Sequence, residues 1–161
     1  LQAALKGTRE HGNREHEALT LYHLARAYLH HGADGLAVQL VLALTHVAEL
    51  LNADRYRALA AFVHGELLYH QGRKADALNE LNLAMLAAQT AVDRGILWKL
   101  HAAMSHVTDN EQIAAVHLNI AAEFIRQTAE PLQDERLRQT FLNAPPVMAV
   151  LQAANVNPSF F

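Results

Sequence analysis

The chain is 161 residues long, 52% hydrophobic, only 6% aromatic and free of cysteine, with a formal charge of −3. That length suffices for one domain with a real core, and the abundance of Ala and Leu favours an all-helical protein over a sheet. A pI near 6.4 argues against the basic face a nucleic-acid binder needs, and the lack of cysteine excludes disulfides, thiolate catalysis and thiolate zinc sites.

No apolar run reaches about 18 residues and no signal-like segment opens the chain, so the expectation is a cytoplasmic protein with no membrane partner. The segment LQAALKG, residues 1–7, reads as the remnant of a helix whose earlier turns are missing, which suggests a piece of a longer protein. Its unpaired apolar surface predicts self-association through that end.

From residue 15 onward the sequence echoes itself. LARAYLHHGADGLA (24–37) aligns without gaps to HGELLYHQGRKADA (64–77) and, more weakly, to HAAMSHVTDNEQIA (101–114). Second in each stands a small residue (Ala25, Gly65, Ala102), ninth a turn residue (Gly32, Gly72, Asp109), and last an alanine (Ala37, Ala77, Ala114). The punctuation GNR (12–14), ADR (53–55) and VDR (92–94) precedes the three units, so the period is about 40 and then slightly less.

Each unit reads as a helix, a short turn and a second helix: 16–31 with 35–51, 55–71 with 75–91, and 95–107 with 110–128. Leu40, Leu44, Val47 and Leu51 fall at i, i+4, i+7 and i+11, and Leu78, Leu81, Met85 and Ala88 at i, i+3, i+7 and i+10, each set on one helical face. Gly32 and Gly72 stand where a helix end favours a left-handed residue, and Asp54 and Asp93 are candidate N-caps. Antiparallel helices approach closely only where small side chains meet, which pairs Ala25 with Ala37 and Gly65 with Ala77.

Pro131 should end the sixth of these helices. DERLRQTFLNA then carries Leu137, Phe141 and Leu142 in helical register as a capping helix, and Pro145-Pro146 starts a short last helix. NVNPSFF is expected to fray, with Phe160-Phe161 as candidates to dock on a neighbour.

Leu24-Ala25, Tyr28, Gly32 and Ala37 in the first unit match, in order, the small, aromatic and turn positions of the tetratricopeptide repeat family. So do Gly65, Gly72, Ala77 and Ala84 in the second unit and Trp98, Ala102, Ala114 and Ala121 in the third. The pattern resembles that family over roughly 15–128, with repeats nearer 40 residues than the usual 34. His64 and His101 stand where Leu is typical of it. The longer repeats and the ending ILWKLHAAM … DERLRQTFLNAPP are similar to the C-terminal regions of multidomain bacterial signalling ATPases, kinases and cyclases.

The resemblance implies an all-α, right-handed α-solenoid of three antiparallel hairpins (15–52, 54–92 and 94–129) with C-terminal capping helices at 134–155, in one domain over 1–161. It also implies a non-enzymatic module of a larger signalling protein that binds a peptide or partner domain along its concave first-helix groove. In the repeat register, Tyr22, Arg26 and Leu29, then Phe62, Glu66 and Tyr69, then Lys99, Ala103 and His106 line that groove, with Leu29 and Phe62 equally at home in the core. The Lys/Asn set that clamps a terminal carboxylate in some family members is absent. An effector-sensing regulatory domain is the alternative reading.

A His-dependent metalloprotein or hydrolase is the third reading, prompted by 11 histidines. Neither H-E-x-x-H nor E-x-x-H occurs. His23/His30, His64/His70 and His101/His106 are spaced seven, six and five apart, away from the i, i+3 and i, i+4 spacings that converge on one ion. His30 and His70 share a repeat position, about 10 Å apart on adjacent helices, and suit last helical turns where a donor meets free carbonyls. His64 and His101 fall between helices, as partly buried rings with a satisfied nitrogen. The only serines are Ser105 and Ser159, no phosphate-loop or nucleophile-elbow motif occurs, and GRKAD (72–76) is a solvated turn. The expectation is therefore no catalytic residue, no metal and no cofactor.

Overall fold

A computed structural model describes residues 2–157. The expectations for Leu1, Ser159 and Phe160-Phe161 lie outside them. The described residues form nine helices and no strand, so the protein is all-α. They are α1 (Gln2–Glu10), α2 (Arg14–His30), α3 (Asp34–Leu51), α4 (Asp54–His70), α5 (Lys74–Thr90), α6 (Arg94–Val107), α7 (Glu111–Ala129), α8 (Glu135–Leu142) and α9 (Pro145–Ala153). The six repeat helices match the predicted spans to within two residues. The chain divides into two compact units, residues 1–91 and 92–161.

In the first unit, α2 with α3 and α4 with α5 form antiparallel hairpins, and α1 packs on α2. Gly12, Gly32 and Gly72 turn the chain with φ of +64°, +69° and +76°, a region open to glycine because it lacks a Cβ. Ala25 and Ala37 are fully buried. A Cβ on Gly65 would lie 3.0 Å from the Leu81 side chain and 3.3 Å from the Ala77 carbonyl oxygen, so the small residue lets α4 approach α5. Asn13 caps α2 by accepting from the His16 N–H. Asp54 does not cap. It falls inside the first turn of α4, after an Ala53 N-cap with no side-chain bond, and pairs with Arg57 instead.

In the second unit, α6 and α7 form the third hairpin, and α8 and α9 pack on α7. Asp93 caps α6 through the Ile96 N–H, and Asp134 caps α8 through Arg136 and Leu137. Trp98, Ala121, Ala122, Ile125, Ala129, Leu142, Val147, Val150 and Leu151 form one apolar cluster. Of the predicted register residues in α8, Leu142 is buried in it, Phe141 packs at its edge, and Leu137 is exposed.

The second helices of the hairpins keep apolar side chains on the outside: Leu36, Leu42 and Leu50 on α3, Leu83 and Leu86 on α5, and Ile113 and Val116 on α7. Among the described helices α3 alone is long and apolar enough to cross a membrane by length and composition. In the hairpin its Val41, Leu44, Val47 and Ala48 are buried.

Candidate functional site

The first-helix residues singled out by the repeat register come together in the first unit, and they do so in pairs one period apart. Tyr22 on α2 and Phe62 on α4 stand with ring centroids 6.2 Å apart. One turn further along, Arg26 donates to Glu66 through both Nε (2.8 Å) and Nη2 (3.0 Å), and its Nη1 donates to the Tyr22 hydroxyl at 3.2 Å. The guanidinium carbon also lies 5.6 Å from the Tyr22 ring centroid and 5.2 Å from that of Phe62. A planar fork between two rings, facing a carboxylate, is the arrangement that Arg favours over Lys.

These side chains are only partly open to solvent, at 26% for Arg26 and 21% for Glu66. Burial disfavours the guanidinium charge, but the Glu66 carboxylate and Tyr22 outweigh it, and the Arg26 pKa is raised above its ordinary value. Arg26 therefore keeps its charge, and its two hydrogen bonds to Glu66 tie α2 to α4.

Tyr22, Leu29 and Phe62 are almost fully buried, at 2%, 3% and 1% exposure. What this face offers a partner is the Tyr69 ring, which is exposed, and the open edges of Arg26 and Glu66. In the second unit, Lys99 is half-buried with its Nζ 5.6 Å from the Trp98 ring centroid, Ala103 is half-buried, and His106 is exposed.

The histidines separate into two groups. His30 and His31 are exposed at the end of α2, where the His31 N–H closes the helix on the Ala27 and Tyr28 carbonyls. His16, His23 and His30 form an exposed stripe on α2, whereas the repeat-equivalent Tyr56 and Val63 on α4 are buried. Among the described residues no group of three His, Asp or Glu side chains is arranged to hold a metal ion.

His64 and His101, the histidines between helices, each meet a partner 16 residues onward. His64 Nδ1 lies 3.4 Å from Glu80 Oε1, and His101 Nδ1 lies 2.8 Å from His117 Nδ1. His101 is the one buried polar residue among those described. Burial, with His117 second, lowers its pKa to about 4; burial also lowers that of His117. Sequence reasoning missed Glu80 and His117. The signal that finds them is the hairpin offset, since Leu24 and Leu40 occupy the same two positions in the first unit.

A shallow polar hollow at the turn from α1 to α2 is lined by Arg9, His11, Asn13, Arg14, Glu15 and Glu17, and Arg9 and Glu17 neutralise each other at 2.6 Å. No family model, curated protein or solved structure matches the chain.

Proposed function

We propose that the chain is a non-enzymatic interaction module: a tetratricopeptide-like, right-handed solenoid whose first helices bind an extended peptide or a partner domain. The observation that carries this reading is the pairing of equivalent first-helix residues one period apart, Tyr22 with Phe62 and Arg26 with Glu66. Side-by-side stacking of equivalent helices is the packing from which repeat proteins build a continuous binding surface. In this reading the module belongs to a larger cytoplasmic signalling protein and its partner is a protein, a choice the acidic pI near 6.4 supports over nucleic acid.

Within the face, Tyr69 is the anchor. An exposed aromatic beside the hydrogen-bonded Arg26–Glu66 pair supplies apolar area at low entropic cost, with a donor and an acceptor next to it. Arg26 itself is a poor residue to mutate for this purpose, because its loss leaves Glu66 partly buried and alone. Selecting peptides from a displayed random library on the purified chain tests the proposal. Tyr69→Ala is expected to weaken the selected peptides at least about tenfold while the helical circular dichroism is unchanged. No enrichment of any peptide, or full affinity in Tyr69→Ala, removes this face as the binding site.

A further inference from the structure

We propose that His101 and His117 form an acid-sensitive latch between α6 and α7, which parts on protonation while the equivalent His64–Glu80 contact between α4 and α5 holds. At 2.8 Å there is room for one proton between the two Nδ1 atoms, so at neutral pH one ring donates and the other accepts, in opposite tautomers. The Phe124 ring stacks on His101 at 5.9 Å and an interplanar angle of 27°, closing one side of the pair.

A first added proton can settle on the far Nε2 of the donor ring. A second must go to the accepting Nδ1, and two N–H groups then point at each other between two cations. The rings have to separate, and with them the helices that carry them.

The other charged side chains described on α6 to α9 are engaged elsewhere or open to solvent, Arg94 and the turn residue Asp109 among the exposed ones. On α6, Lys99 lies over the Trp98 ring and His106 is exposed. On α7, Glu123 is held by Arg126 and Gln127, Glu130 is held by Arg126, and Glu111 is exposed. On α8, Glu135 is held by Arg138 and Gln139 and Arg136 is exposed, while α9 has no titratable side chain. In the α4–α5 hairpin His64 faces a carboxyl group rather than a second ring, so no pair of N–H groups can be driven against each other there.

The direction follows from linkage. A histidine whose pKa is lower in the closed form than in the open one binds more protons when open, so closure weakens as pH falls from about 6.5 toward about 4. For His101 alone, going from pH 7 to pH 5 raises the opening constant about twentyfold.

Amide hydrogen exchange of the whole chain at pH 7 and pH 5, corrected for the intrinsic rate, tests the latch. The α6–α7 amides are expected to lose about twentyfold in protection relative to those of α4–α5. His101→Leu with His117→Leu, which copies Leu24 and Leu40 of the first hairpin, is expected to abolish the twentyfold loss, and His117→Glu, which copies the second, to make the two hairpins respond to pH alike. Equal pH dependence in the two hairpins, or an unchanged difference in the double leucine variant, overturns the proposal. If the variants fail to fold, ring nitrogen NMR of the native chain decides. Opposite tautomers at pH 7 support the latch, and two rings that titrate independently near pH 6.5 refute it.

Discussion

The two units hold their helices together with different chemistry. In residues 1–91 the link between successive hairpins includes a bidentate ion pair between two aromatic rings, whereas in residues 92–161 the α6–α7 hairpin is joined to α8 and α9 by an apolar cluster. A charged pair demands orientation: a small displacement costs both hydrogen bonds, so it fixes the register of α2 against α4. An apolar cluster demands volume rather than a fixed pairing of donor and acceptor.

The sharpest way to test that difference is to remove volume in one unit and charge in the other. Trp98, the one tryptophan, sits in the apolar cluster, so its fluorescence follows the second unit. Ile125→Ala is expected to cost about 3 kcal/mol in the denaturant transition that Trp98 reports, because a fully buried side chain is lost from a packed interior.

Glu66→Ala is expected to cost about 2 kcal/mol, less than a deeply buried pair, because the side chains of Arg26 and Glu66 remain about a quarter exposed. Arg26→Met with Glu66→Leu should restore most of that loss in the helical circular dichroism transition. An equal shift of the Trp98 signal by Glu66→Ala would show that the two units unfold as one and would erase the contrast.

The smallest effect concerns the turns. Asn52 and Val92 each immediately precede an N-cap and both have positive φ, +49° and +53°. Asn tolerates that region and a β-branched residue does not. Val92→Asn is expected to raise the thermal midpoint by an amount equivalent to about 1 kcal/mol.

Much of the architecture was legible in the sequence, for local reasons. Gly32 and Gly72 marked helix ends because a left-handed turn without a Cβ has few other solutions, and Gly65 marked the close approach of α4 to α5. The helix boundaries followed from such signals. Asp54 failed as a cap because capping is set by a one-residue register that the ADR and VDR motifs do not share: Asp93 precedes its helix and Asp54 lies within it.

The candidate face was legible only in part. Tyr22, Arg26, Phe62 and Glu66 were identified as a group, but with their charges offered to a partner. That they satisfy each other follows from two opposite charges one period apart on neighbouring helices, a relation between distant positions that no single window of sequence displays. His117 was missed for the same reason, since it has meaning only through the 16-residue offset within a hairpin. The division into two compact units left no mark in composition.

The separations of these pairs also order events in time. The hairpin contact joins residues 16 apart and the first-helix contact joins residues 40 apart, which makes closing the longer loop about 0.8 kcal/mol more costly in chain entropy. Hairpins are thus expected to form before α2 meets α4. In stopped-flow measurements Glu66→Ala should therefore accelerate unfolding and leave the folding rate nearly unchanged, so that the ion pair sets how long two hairpins stay together rather than how fast they meet.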